Sequence, residues 1–180
     1  MHAELTGLPG LLALRPDVRR DERGYFVKTF QRSLFDNLNI DSRFDEHFFS
    51  SSHRGVIRGM HFQEPPEAQS KVVFCASGTV LDVVVDLRTD SPTYQKFETF
   101  ELSDTSWAML VLPIGCAHGF AAISESATMG YLTSTEHSPA VDAGIRWNSF
   151  GFEWPFLDPI ISDRDRALPT MESYSSQFRL

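Results

Sequence analysis

The chain has 180 residues, 42% of them hydrophobic and 12% aromatic, enough to bury a core of its own and expected to form a single domain over residues 1–180. A formal net charge of −8 argues against nucleic acid or an anionic membrane as partner, while leaving room for an anionic small ligand in a locally basic pocket. No apolar run approaches the ~20 residues of a membrane span, and Pro9 and Gly10 interrupt the Leu8–Leu14 stretch, so neither a membrane segment nor a signal peptide is expected and the location expected is cytoplasmic.

Fifteen Phe and ten Pro, with few long runs of helix formers, favour β structure. In chain order, Asp21-Glu22-Arg23-Gly24 signals a turn, and Tyr25–Phe30 follows as a strand. Ser33–Leu38 suits one short helix, with Ser33 as its cap and Leu34, Phe35 and Leu38 on one face. Strand patterns then dominate: His47–Ser51, Gly55–Gln63, Lys71–Ala76, Thr79–Leu87, Lys96–Leu102, Trp107–Leu112, Gly119–Ile123 and Met129–Ser134. Their spacing, with turn signals at Gly78 and Asp90/Pro92, predicts an all-β sandwich or barrel. After Pro139 the chain reads as an irregular tail, with Trp147 and Trp154 packed over the barrel and room for one last helical turn. Cys75 and Cys116 are isolated and expected as reduced, buried thiols.

Strand parity in Thr79–Leu87 puts Leu81, Val83, Val85 and Leu87 on one face and Asp82, Val84 and Asp86 on the other. If both faces are buried, the carboxylates need partners. For Asp86 a turn or solvent suffices; Asp82, in mid-strand, calls for an interior polar partner such as a histidine.

Two histidine segments carry the chemistry: Arg54-Gly55-Val56-Ile57-Arg58-Gly59-Met60-His61-Phe62-Gln63, and Pro113-Ile114-Gly115-Cys116-Ala117-His118-Gly119-Phe120. The second resembles the P-x-G-x-x-H box of the double-stranded β-helix (cupin jelly-roll) superfamily. Metal-binding members show H-x-H followed by Glu. Here Gln63 replaces the second histidine, and a neutral amide is a poor ligand for a transition metal, so no metal and no cofactor are expected. The enzyme-class rival is a metal-dependent cupin using His61, Glu67 and His118. The non-enzyme rival is a sugar-binding cupin without catalysis.

Further segments extend the resemblance. Asp21–Phe26, Gly55–Gln63, Gln69-Ser70-Lys71, Asp82–Arg88, Ser91-Pro92-Thr93, Pro113–Phe120, Gly144–Asn148 and Ile161-Ser162-Asp163-Arg164-Asp165 are together similar to the dTDP-4-dehydrorhamnose 3,5-epimerase family. The likeness implies an isomerase that moves protons at C3 and/or C5 beside the C4 ketone of a nucleotide-diphospho-4-keto-6-deoxyhexose. It implies a homodimer exchanging an N-terminal strand, and a deoxysugar product for surface polysaccharide (lipopolysaccharide O-antigen) or a glycosylated metabolite. His61 then matches the general base and Asp165 the carboxylate that orients it. Lys71 matches the cation near the C4 oxygen, Tyr131 the general acid on the opposite face, and His118, partnered by Asp82, the second histidine. Arg23 and Arg58 match diphosphate contacts; Gln69, Asp82, Phe48, Glu46 and His137 complete the substrate-binding set. Phe48-Phe49 reads as either core or ligand-stacking, and Arg146 as a salt bridge to the tail.

Three departures concern base recognition. Glu46-His47-Phe48-Phe49 stands where the family has a Q-D-N-H-like segment, His137 where it has a second tyrosine, and Lys28 where it often has Glu. These favour a cytidine-linked sugar beside the thymidine-linked one. One conflict arises within the sequence: regular parity puts Arg58 and His61 on opposite faces, so either Gly59 breaks the strand or one of the two serves another subunit's ligand.

Overall fold

The computed structural model describes residues 1–180. Strands β1 (His2–Leu5), β2 (Leu12–Arg15), β5 (Glu46–His53), β7 (Lys71–Ser77), β10 (Met109–Leu112) and β12 (Ser126–Thr133) form a six-stranded sheet in the order β1-β2-β10-β7-β12-β5. A five-stranded sheet, β13-β6-β11-β8-β9, combines β6 (Ile57–Gln63), β8 (Thr79–Asp86), β9 (Phe97–Ser103), β11 (Cys116–Ala122) and β13 (Asp142–Gly144). Every pairing within the two sheets is antiparallel, and they face each other as a cupin jelly roll. A separate hairpin, β3 (Val18–Asp21) with β4 (Gly24–Val27), stands outside both sheets.

Period-two alternation builds three layers of packing. Val73 and Cys75 of β7, Leu110 and Leu112 of β10, and Val80 and Val84 of β8 point between the sheets. Val72, Phe74, Met109 and Val111 point the other way, under Phe35 of α1 (Arg32–Asn37). Val83, Val85 and Leu87 face outward too, and Ile145, Met171 and Phe178 of the C-terminal tail cover them. The strand holding Asp82 and Asp86 is thus buried on both sides. Asp86 finds its partners in a turn: the Arg88 guanidinium binds it in bidentate fashion, and Ser91 and Thr93 hydroxyls donate to it. Cys75 and Cys116 are free and buried.

Several expectations need correction. Helix α1 is capped by Gln31, not Ser33, and the Gln31 side chain donates to Ser33 Oγ rather than to a backbone group. The short N-terminal strands β1, β2 and β3 carried no clear alternation. The tail is more ordered than expected: β13 adds an edge strand, and α2 (Asp163–Ala167) is closed by the Ser162 hydroxyl, which accepts from the Asp165 amide. Arg146 meets the tail through the Leu168 carbonyl, a hydrogen bond and not a salt bridge.

The conflict between Arg58 and His61 is settled by a bulge. Phe120 pairs with Arg58 and His118 with His61, so three steps along β6 oppose two along β11. Gly59 absorbs the extra residue at φ +145, where a side chain is strained, and its Cα sits close to Gly119. A Cβ on Gly59 would lie 2.6 Å from Gly119 Cα. Gly59→Ala is therefore expected to destabilise the protein by about 3 kcal/mol, the upper end of overpacking costs. Urea unfolding checks this through a lowered midpoint at unchanged m-value.

Candidate active site

A cavity of about 390 Å³ opens between the sheets, a size ordinary for small-molecule sites. Both arms of the β6 bulge reach it: Arg58 and His61 line the same space. From the facing sheet come Phe48 and Ser50 of β5, Lys71 of β7 and Tyr131 of β12; His118 and Phe120 of β11 close the back. Gln69, Glu46 and His137 line it as well, as do Asp142 of β13 and Arg164 of α2.

Two imidazole–carboxylate pairs dominate the geometry. His61 Nε2 lies 2.7 Å from Asp165 Oδ1, and His118 Nε2 lies 2.7 Å from Asp82 Oδ2. Each Nδ1 makes no hydrogen bond within the chain, yet neither is among the buried unpaired atoms, so both remain open. Asp165 also accepts from the Gly59 amide at 3.3 Å, which ties the bulge to the pair. Burial alone would raise the Asp165 carboxyl, but His61, the Gly59 amide and Arg164 hold it below the usual carboxylate range. Burial pushes the His61 imidazole down; Asp165 opposes this, while the charges of Arg164 and Lys71 add to it. His61 is accordingly held neutral at neutral pH, the state a general base requires.

The ammonium of Lys71 forms no hydrogen bond or ion pair within the chain, and burial pushes it down to about 8, with Asp142 opposing and Arg164 assisting. It is the pocket's least committed cation. Arg58 is anchored by Nε to Ser52 Oγ at 2.9 Å and by Nη2 to the Ser51 carbonyl at 3.0 Å. The Tyr131 hydroxyl sits 3.1 Å from Ser50 Oγ, and its ring stacks on Phe48 at a centroid distance of 4.6 Å. Burial holds the phenol well above its ordinary value, so it is a proton donor at any moderate pH. Phe48 thus belongs to the cavity wall, whereas its neighbour Phe49 packs edge-on against Phe74 outside it.

The structure moves two expected substrate contacts. Asp82 is fully buried behind His118 and is not part of the lining, so it serves the histidine instead of a ligand. Arg23 lies outside this cavity: Asp21 grips its guanidinium at 2.6 Å on the exposed hairpin. Lys28 likewise lies outside and donates to Gln31. Gln63 is fully committed, its Nε2 donating to the Glu67 and Glu136 carbonyls and the Thr135 hydroxyl, its Oε1 accepting from the Ser138 amide. Glu67 contributes that carbonyl and does not line the cavity. No group of three His, Cys, Asp or Glu side chains is placed to hold a metal ion.

The sequence profile of the dTDP-4-dehydrorhamnose 3,5-epimerase family matches residues 5–173. The chain belongs to that family. The dTDP-4-dehydrorhamnose 3,5-epimerase of Salmonella typhimurium is 39% identical over 173 residues, 93% of each chain. The dTDP-4-dehydrorhamnose 3-epimerase of Streptomyces niveus is also 39% identical, across 92% of this chain and 82% of its own. The crystal structure of a Legionella pneumophila dTDP-6-deoxy-D-glucose-3,5-epimerase in complex with dTDP-4-keto-L-rhamnose matches with a TM-score of 0.94 at 30% identity, covering 99% of this chain and 98% of that one.

In this epimerase-family chain, sequence reasoning overlooked Arg164 and Asp142. Arg164 Nη1 is 2.9 Å from His61 Nε2, and its Nη2 is 2.6 Å from Asp142 Oδ2. Adjacency to Asp165 in the Ser162–Asp165 segment was the available signal; nothing local marked Asp142, which reaches the cavity only because β13 pairs with β6. The Lys71 ammonium has a stability consequence. Below about 8 it is charged in both states and disfavoured in the folded one; between about 8 and its ordinary 10.5 the unfolded chain holds more protons, so this penalty fades as pH rises. Lys71→Met is expected to stabilise the ligand-free protein at pH 7 by about 1–3 kcal/mol. Thermal melts across pH 7 to 10 should show that advantage shrinking.

Proposed function

We propose that this chain is an isomerase that inverts C3, C5 or both in a nucleotide-diphospho-4-keto-6-deoxyhexose, by proton transfer beside the C4 ketone. The observation that carries this reading is the placement of a carboxylate-oriented histidine and a buried tyrosine on opposite sheets of one cavity. A base and an acid on opposite sides of a sugar ring are what inversion needs; a binder that only holds the sugar needs neither. His61 takes the proton on Nδ1, Asp165 stabilises the imidazolium, and Tyr131 returns a proton from the other side. Lys71 and His118 face the C4 oxygen, where charge develops as the enolate forms. Arg58 grips the diphosphate, and the product supplies deoxysugar for surface polysaccharide such as O-antigen.

The reaction proceeds without a metal or other cofactor, because Gln63 is spent on backbone partners and Glu67 stands off the cavity. The working form is a cytoplasmic homodimer. Supporting that assembly, the hairpin bearing Arg23 does not line its own cavity and exposes Tyr25 and Phe26, and the edge strand β1 is exposed along its length. Exchange of N-terminal strands would let Arg23 reach a partner's diphosphate. No helix is long and apolar enough to cross a membrane.

Solvent deuterium incorporation, followed by NMR on chelator-treated protein, tests the roles. His61→Ala should lose exchange at both carbons to below ~1% of wild type, in line with the 10²–10⁴-fold value of general-base catalysis. Tyr131→Phe should still wash out substrate hydrogen while accumulating little inverted product. Normal epimerisation by either variant assigns the role to another group.

The base site is the second test. Glu46 and His137 line the cavity together, and the His137 amide donates to Glu46 Oε2 at 3.1 Å. The other oxygen, Oε1, makes no hydrogen bond within the chain and can accept from an exocyclic amine, which cytosine has and thymine lacks. CDP is therefore expected to bind at least as tightly as dTDP in calorimetric titration. A tenfold preference for dTDP, about 1.4 kcal/mol, would return the site to thymidine.

A further inference from the structure

One ring nitrogen of His61 faces two incompatible neighbours. Nε2 lies 2.7 Å from Asp165 Oδ1, which can only accept, and 2.9 Å from Arg164 Nη1, which can only donate. A neutral imidazole has one N–H and one lone pair. With the proton on Nε2, the ring donates to Asp165, and Arg164 presses an N–H against an N–H. With the proton on Nδ1, Nε2 accepts from Arg164, and its lone pair crowds the carboxylate. The second state disables the base, because Nδ1 is the nitrogen left open to the cavity and it already carries a proton.

Arg164 is held by polar contacts and not by burial. Its side chain is about half exposed, and it is held by Asp142 at 2.6 Å and by a long contact of 3.5 Å to Asp165. It lines the cavity, so an anion entering there competes directly with Asp142. A diphosphate is suited to that competition, since it offers several charged oxygens to a bidentate guanidinium.

We propose that Arg164 is a positioning residue that gates the tautomer of His61. In the empty site it donates to Nε2 and favours the Nδ1–H form. A diphosphate draws it away, Nε2–H turns to Asp165, and the lone pair appears on Nδ1. This rests on the reading of the substrate as a nucleotide diphosphate. In the loaded site the C–H bond beside the ketone breaks and its electron pair remains as the enolate. The proton forms a bond to Nδ1, and Nε2–H stays with Asp165. The base is armed only once the nucleotide is seated, which protects against idle proton exchange with unbound keto sugars.

Long-range proton–nitrogen NMR on protein with ¹⁵N-labelled histidine tests the gate, the His61 signals being those lost in His61→Asn. Free wild type should show mainly Nδ1–H, and free Arg164→Gln mainly Nε2–H. Saturating dTDP or CDP should invert the wild-type ratio and leave Arg164→Gln unchanged. The same His61 tautomer in free wild type and free Arg164→Gln overturns the proposal, whether or not a nucleotide binds. A nucleotide that binds by calorimetry without moving the wild-type ratio also overturns it. Should Arg164→Gln fail to fold, Asp142→Asn removes the guanidinium's anchor and must shift the ratio in the same direction, and an unshifted ratio there is equally fatal. If the free proteins differ as expected but neither nucleotide binds, the hold of Arg164 on the ring stands and the nucleotide reading falls.

Discussion

The close approach of Gly59 to Gly119 is the constraint on which the site depends. Only where neither strand carries a side chain can β6 gain a residue against β11 and remain paired with it on both sides of the bulge. Without that extra residue, parity would turn either Arg58 or His61 outward, into the cluster where Met60 and Phe62 pack under the tail. The bulge frees the Gly59 amide from the ladder, and Asp165 accepts it with the oxygen not used by His61. One backbone irregularity therefore aims two side chains inward and also docks the carboxylate that orients one of them.

The two histidine–carboxylate pairs differ in what surrounds them. Asp165 sits on the first turn of α2, with the Ser162 cap fixing its backbone and three groups sharing its charge. It can respond when a neighbour such as Arg164 moves. Asp82 is sealed between the sheets with Oδ1 unpartnered, so its hydrogen bond to His118 is its one strong interaction with a side chain. One buried oxygen, Oδ1, is already unpaired at a cost, and losing His118 would leave Oδ2 unpaired as well. The first pair is an adjustable arrangement for moving a proton. The second is a rigid one that holds an imidazole facing the cavity.

What the sequence made legible follows from how local the causes are. The barrel strands could be read because a strand covered on both faces is a near-continuous run of apolar residues, as in β7, β8 and β10. The interior position of Asp82 followed from parity alone, while the roles of Lys71 and Tyr131 came only from likeness to a family. The N-terminal strands escaped because β1 and β3 are exposed along most of their length and carry no buried face to impose a period. The placement of Arg23 was illegible for a different reason: the hairpin's position is set by contacts such as Tyr25 on Trp107, which lie far apart in sequence. Arg164 was quoted within a motif but given no task, since its contact with His61 spans 103 residues.

The Gln63 amide shows how a cupin frame can serve proton chemistry. In a metal site that position would hold a ligand nitrogen pointing at the ion. Here the side chain makes four hydrogen bonds to the loops following β6 and β12, three of them to backbone groups. These bonds join the stretch around Glu67 to the stretch running from Thr135 to Ser138, which contains His137 and through it meets Glu46. A charged or metal-seeking residue could not substitute, because the site demands two donors and an acceptor at once, which only an uncharged amide supplies. The position that would have bound an ion instead fixes the loop that shapes the far end of the cavity. His61, the first member of the box, is left with a carboxylate on one nitrogen and the other nitrogen open to the cavity, which is the geometry a proton-transfer base needs.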